Sequence, residues 1–261
     1  DRIENARPYA LAMAEVLGNV VANVRDAKHP LLEVREERKT ALYIAIASDR
    51  GLAGAFNSNI IRMTENAMRA DREAGRDVRL ITVGKKTLTY FRYRGVEPEM
   101  VLRDMSDKPT YAHARQIAAH VMSAYTDGEV DAVNIMFNRF KSVAEQSPEN
   151  HQLLPIEQSV LSDAEKDVES RGLNLEYLFE PSSEAVLDTL LPAYTEALVY
   201  RALLESAAAE HGARRTAMKS ATDNAGEMIT TLTRSYNRAR QAAITTEIAE
   251  IVGGAAALEE D

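Results

Sequence analysis

The sequence predicts an α/β protein in which an open sheet domain is followed by one very long helix. Two observations carry this. Residues 41–47 (ALYIAIA) form an unbroken apolar run between a charged cluster and a glycine-bearing loop. Such a run suits a strand buried on both faces, as in a parallel sheet covered by helices. From residue 193 to residue 252 there is no proline, the only glycines are Gly212 and Gly226, and Ala, Leu, Arg and Glu are frequent. All four are good helix formers.

The remaining elements follow in chain order. Residues 9–26 read as a helix, because Leu17, Val20, Val21 and Val24 recur at three and four and share a face. Pro30 and the charged run 36–39 mark its exit. After the strand at 41–47 comes the loop 49–57 (DRGLAGAFN), then a helix over 58–73 with Ile60, Ile61, Ala67 and Met68 on one side. A second strand is expected at 78–83, a short helix at 86–93 ended by Gly95, and a helix at 110–126 with Ile117, Val121 and Tyr125 at four-residue steps. Two further strands are expected at 132–140 and roughly 142–156. The organisation expected is an N-terminal helix over 1–28, an α/β domain over 40–160, a connector over 161–183 and the long helix over 184–258. Ser183 is placed as the N-cap of that helix, since a serine side chain can accept a backbone N–H there. Pro192 is expected to kink or restart it.

The long helix carries a heptad. Met218, Ala225, Leu232 and Ala239 are seven apart, and Thr222, Ile229, Tyr236 and Ala243 form a second row four residues on. A 3.5-residue period held over several turns predicts a left-handed coiled coil with a closely approaching partner, since the stripe is rich in alanine. A core helix of a bundle is the plainer alternative, but bundle helices rarely reach ~60 residues, or ~90 Å. Residues 201–240 hold seven basic and four acidic side chains, a net +3. This suits either a rod turning in an acidic socket or an ordinary solvated face.

Composition bounds the function. The chain has 261 residues and a formal charge of −9 from 31 Lys and Arg against 40 Asp and Glu. That acidic balance argues against a free-standing nucleic-acid binder. There is no cysteine, which removes disulfides, thiolate metal sites and thiol nucleophiles and fits a reducing compartment. No run of apolar residues is long enough to span a bilayer. The first residue is Asp1, so a natural start is expected to be missing or processed away.

Catalytic constellations are weak. Gly51 and Gly54 follow a buried strand and precede a helix, where backbone amides can cradle a phosphate. The dinucleotide fingerprint is incomplete, however, and a tight strand-to-helix turn is preferred. The segment Gly84-Lys85-Lys86-Thr87 lacks the upstream glycine of a phosphate loop, with Arg79 in its place. Among the five histidines only His113 and His120 could share a helical face, and no third ligand accompanies them. No cofactor and no metal is expected.

Three segments together resemble a known family. They are Ser48–Asn57 (SDRGLAGAFN), 217–225 (AMKSATDNA) and 236–258 (YNRARQAAITTEIAEIVGGAAAL). The chain closely resembles the gamma subunit of F-type ATP synthases over essentially its whole length. Ala53 and Ala55 stand where many members have cysteine and glycine. The chain also lacks the cysteine-bearing insertion of the redox-regulated chloroplast form. Members usually carry about 35–40 further residues ahead of the point where this chain starts, holding the partner helix for the lower half of the coiled coil.

The resemblance implies an open Rossmann-like sheet domain inserted between N- and C-terminal helices that form an antiparallel coiled coil. It implies a non-catalytic rotor shaft of a proton-translocating enzyme, turning inside a hexameric ring of alpha and beta subunits and seated with the epsilon subunit on the membrane c ring. By the same resemblance Arg240 and Gln241 engage the catalytic beta subunits. Arg214, Thr245, Glu247 and Glu250 belong to rotor–stator coupling, and Tyr177 and Glu180 to the footing on the c ring. The implied location is peripheral, on the cytoplasmic face of a bacterial plasma membrane or else the matrix face of the mitochondrial inner membrane. No nucleic-acid partner and no direct bilayer insertion are implied. Two other readings stand beside this one: a Rossmann-like nucleotide-binding enzyme and a coiled-coil scaffold protein.

Overall fold

The computed structural model describes residues 29–35, 37–156 and 183–259, with helical residues also at 3, 12–13, 16–18 and 20. The expected connector over 161–183, with Tyr177 and Glu180, and most of the expected N-terminal helix lie outside the described residues. The chain divides into two compact units, 1–216 and 217–261.

The first unit is built on five strands: β1 (Thr40–Ile46), β2 (Asp77–Val83), β3 (Met100–Leu102), β4 (Ala132–Phe140) and β5 (Gln146–Leu154). They lie in the order β3-β2-β1-β4-β5. The first four are parallel, and β5 runs antiparallel to β4. The central position of β1 explains its sequence. Its residues from Ala41 to Ile46 are all buried, so both faces must be apolar. Leu42, Ile44 and Ile46 point to one face and Ala41, Tyr43 and Ala45 to the other.

Each face has its own helical cover. Helices α1 (Phe56–Glu73) and α2 (Lys85–Tyr93) bring Ile60, Met68 and Phe91 onto the face of Tyr43. Helix α3 (Tyr111–Thr126) brings Ile117, Val121 and Tyr125 onto the other. Joining them there are Leu187, Leu191, Tyr194 and Val199 from the start of α4 (Ser183–Glu259), and Leu17 and Val20 from the N-terminal segment.

Three details differ from the sequence reading. Strand β3 was not expected, because three residues at a sheet edge give no measurable alternation. The last strand begins at Gln146 rather than near 142, because Lys141 and Ser142 turn back onto the carbonyl of Glu145. Helix α4 runs through Pro192 without restarting. Proline removes one N–H there, but Leu187, Leu191 and Tyr194 on both sides of it are buried in the core, and that packing holds the helix across the gap.

Two carboxylates close the ends of the buried strand, where backbone groups would otherwise lack partners. Asp131, just ahead of β4, accepts the amides of Lys39 at 2.8 Å and Thr40 at 2.9 Å and pairs with Arg35 at 3.0 Å. At the other end Asp49 accepts the amides of Lys85 at 3.0 Å and of Met105 and Ser106 at 3.1 Å. Burial works against both charges, but the surrounding amides prevail and hold both carboxyls below their ordinary value. Beside Asp49, Gly84 has φ +92°, and a Cβ there would lie 2.2 Å from the carbonyl oxygen of Ala47. No other residue fits that crossing.

Because its folded pKa is depressed, Asp131 stabilises the fold fully above its unfolded value near 3.8, and this contribution is lost as pH falls through the folded value. Asp131→Ala should lower the unfolding free energy at neutral pH by about 2–3 kcal/mol in urea titrations, since the amides of Lys39 and Thr40 lose their acceptor. The gap between variant and parent should close as pH drops below 3.8. A gap that stays constant to acid pH would contradict this role.

Candidate functional site

In an open parallel sheet the usual ligand crevice lies where the strand order reverses, at the carboxyl ends of the strands. Here that point is between β1 and β4, and it is filled by the chain itself. Ala53 and Phe56 from the β1–α1 loop pack with Ala209 of α4, and Phe140 and Ala213 border them. Asn138 of β4 donates its side-chain amide to the carbonyl of Phe56 at 3.2 Å. The loop is braced internally, with Asn57 Oδ1 accepting the backbone amide of Ser48 at 2.9 Å and its hydroxyl at 2.8 Å. The glycine loop is thus a tight turn and a seat for α4. The amides that open α2 are also committed: Lys85 N–H to Asp49 and Lys86 N–H to the Ser48 carbonyl.

Histidine chemistry is equally committed. His113 caps α3 through Thr110, and His120 meets Glu99 at 2.7 Å, so the two do not converge. His29 accepts the amide of Leu31 and faces Asp188 at 3.5 Å. Burial draws its pKa down, against a smaller upward pull from Asp188. Among the described residues no group of three His, Cys, Asp or Glu side chains could hold a metal ion.

What the first unit does build is a seat for residues 201–216 of α4. Glu205, wholly buried, accepts the amide of Phe140 at the end of β4 at 2.8 Å. Glu210, also buried, pairs with Arg214 at 2.8 Å. Arg214 reaches the carbonyl of Gly51 at 3.3 and 3.4 Å, so its guanidinium is turned onto its own chain. Gly212 faces the β4–β5 turn so closely that an added Cβ would lie 3.1 Å from Gln146 Nε2. The Thr216 hydroxyl donates to the carbonyl of Val143 at 3.2 Å.

The second unit, 217–261, is helical through Glu259. Its heptad stripe has no cover within this unit: Ile229, Leu232 and Tyr236 are 66%, 61% and 67% exposed. Arg240, Gln241, Thr245, Glu247 and Glu250 are all exposed. Arg240 and Glu247 are seven apart and share a face, as do Gln241 and Thr245 at four. The Thr245 hydroxyl donates to the carbonyl of Gln241 at 2.9 Å. Glu250 falls seven residues after Ala243, so it ends the apolar row with a charge. These five residues belong to the second unit and Arg214 to the first. Tyr177 and Glu180 lie outside the described residues.

Sequence reasoning missed Glu205 and Glu210. The signal for them was faint. Both interrupt or border the apolar run 202–209, where a carboxylate without a fixed donor would be unfavourable.

Comparison with known proteins converges on one family. A family model described as ATP synthase matches residues 1–258. The ATP synthase gamma chain of Heliobacterium modesticaldum is 48% identical over 259 residues, covering 99% of this chain and 87% of that protein. That of Symbiobacterium thermophilum is 45% identical over 260 residues, with the same 99% and 87% coverage. Among solved structures, a chain of the Euglena gracilis mitochondrial ATP synthase OSCP/F1/c-ring structure matches with a TM-score of 0.61 at 20% identity, covering 98% of this chain and 92% of that one. A chain of the Tetrahymena thermophila mitochondrial ATP synthase central stalk and c ring gives 0.57 at 22% identity, covering 85% and 100%. At such identities the likeness is one of fold. The relatives, alike over nearly the whole chain, place this protein in the family of ATP synthase gamma chains.

Proposed function

We propose that this chain is the central-stalk rotor of a proton-translocating F-type ATP synthase, coupling rotation of the membrane c ring to ATP synthesis or hydrolysis at the catalytic beta subunits. The observation that carries the reading is the pairing of a filled ligand crevice with a long exposed helix. The crevice that would serve a nucleotide in a Rossmann-like enzyme is filled by Ala53 and Phe56 with Ala209 of α4, and Arg214 of the same helix is bonded to the Gly51 carbonyl of the adjoining loop. Residues 217–259 alone amount to about 65 Å of helix. A plain scaffold protein would give no reason for the likeness to ATP synthase gamma chains over nearly the whole chain, the C-terminal run included.

In this role the exposed heptad stripe takes an antiparallel partner helix, and the tip of α4 turns inside the hexameric ring of alpha and beta subunits. Arg240 and Gln241 engage the beta subunits, and Thr245, Glu247 and Glu250 belong to the same rotor–stator contact. Such polar contacts give registry without an adhesive apolar interface, so the shaft can turn. The sheet domain sits with the epsilon subunit on the c ring, and Tyr177 and Glu180 belong to the footing. No helix among the described residues is long and apolar enough to cross a membrane. The chain is peripheral, on the cytoplasmic face of a bacterial plasma membrane, and the active sites belong to its partners.

Replacing Arg240 and Gln241 together with alanine should leave the chain folded, with unfolding free energy changed by no more than about 0.5 kcal/mol, since both are exposed. In the assembled complex the same change should slow ATP-driven rotation under load roughly tenfold, the effect of losing about 1.4 kcal/mol of charge-assisted contact. Equal rates across a load series would count against the roles given to these residues.

Glu180→Lys should loosen docking on the c ring while ATP hydrolysis by the detached head persists. Measured as proton-driven ATP synthesis in vesicles, the expected result is a loss of most of the rate. Unchanged synthesis would remove Glu180 from the footing.

A further inference from the structure

Over residues 205–216, helix α4 is tied to the sheet domain by two contacts of charged side chains that lie on opposite sides of its axis, with the neutral Thr216–Val143 bond beside them. Glu205 receives the Phe140 amide at 2.8 Å. Nine residues on, Arg214 donates to the Gly51 carbonyl at 3.3 and 3.4 Å while held by Glu210 at 2.8 Å. Nine residues are about two and a half helical turns, so the two side chains leave the helix roughly half a turn apart. The surface between them is smooth. Ala209 packs on Phe56 and Ala53, and Gly212 meets the β4–β5 turn with no side chain at all.

This contrast matters because apolar contact is non-directional. Further back, Leu187, Leu191, Tyr194 and Val199 seat α4 in the core, but in this last stretch the apolar seat is alanine and glycine, which offer little resistance to turning. Hydrogen bonds to charged groups are directional and stronger than neutral ones. A buried carboxylate that loses its donors is left unsatisfied, so each tie resists rotation of the helix in either sense. Two ties on opposite sides also act as a couple, which a single tie cannot.

The geometry points to a torsional lock. Glu205 with the Phe140 amide on one side, and Glu210 with Arg214 and the Gly51 carbonyl on the other, fix the azimuth of α4 within the sheet domain, so that torque passes between domain and helix without slip. Glu205, Glu210 and Arg214 are positioning residues for the rotary reaction, and Arg214 acts inside its own chain. This inference rests on the rotor reading above.

The test uses the assembled complex with its head stalled and a bead on the sheet domain, reading the variance of the bead's angle. Glu205→Ala or Arg214→Ala should raise that variance roughly twofold, since each removes one of the two charged ties in the last stretch of the seat, and the double variant should exceed the sum because the ties act together. The ratio of protons pumped to ATP hydrolysed should fall in parallel. Glu205→Gln, which keeps an oxygen for the Phe140 amide, should return the variance to the parent value. Arg214→Lys has no planar fork to hold Glu210 and the Gly51 carbonyl together, so it should raise the variance with an unchanged melting temperature. It also carries the test if the alanine variants fail to assemble. Parent-like variance in Arg214→Lys, or in a double variant that still rotates, would overturn the lock and leave the rotor reading standing. A parent complex whose sheet domain does not turn at all would overturn the rotor reading itself.

Discussion

A helix that carries torque must be held against twist where it leaves its domain, and there the apolar seat of α4 is small, with Ala209 and Gly212 in place of interlocking side chains. The first unit meets this constraint with buried carboxylates. Glu205 and Glu210 sit in the seat of α4, where their donors are a strand-end amide and an arginine that reaches back to the β1–α1 loop. The same device recurs in the sheet, where Asp131 accepts the first amide of β1 and the one before it, and Asp49, past the other end of β1, accepts amides from neighbouring segments. Directional bonds define the geometry, and the apolar layers around them supply most of the stabilisation.

The sheet has the topology of a ligand-binding α/β domain, yet its crevice serves another purpose. A nucleotide site there needs free amides at a helix start and open space above the strands. Here the amides that open α2 are bonded to Asp49 and Ser48, and the space is taken by Ala53, Phe56 and Ala209. One architectural position thus accounts for two properties, the absence of a ligand crevice between β1 and β4 and the fixed seating of the helix.

Much of the fold was legible in the sequence because its signals are local. The run 41–47 announced a doubly buried strand, and it became the centre of a parallel sheet. The lack of proline after residue 192 announced the long helix, and the heptad announced a stripe that the structure finds uncovered in its own unit. Strand β3 was missed because three residues at an edge carry no period. The lock was missed for a different reason. Glu205 and Phe140 are 65 residues apart, and Arg214 and Gly51 are 163 apart, so no spacing rule connects them. Arg240, Gln241, Thr245, Glu247 and Glu250 were legible only through resemblance. Nothing in their own periodicity distinguishes them from an ordinary solvated face.

The central claim is that the sheet domain and α4 turn together as one shaft. The chain contains no cysteine, and Tyr93 at the end of α2 is 87% exposed, so Tyr93→Cys offers a single attachment point in this chain, on the sheet domain. With the head of the assembled complex fixed to a surface and a bead on that cysteine, ATP should drive sustained rotation in one direction. A bead that only fluctuates about a fixed angle, in a complex that is hydrolysing ATP, would contradict the account.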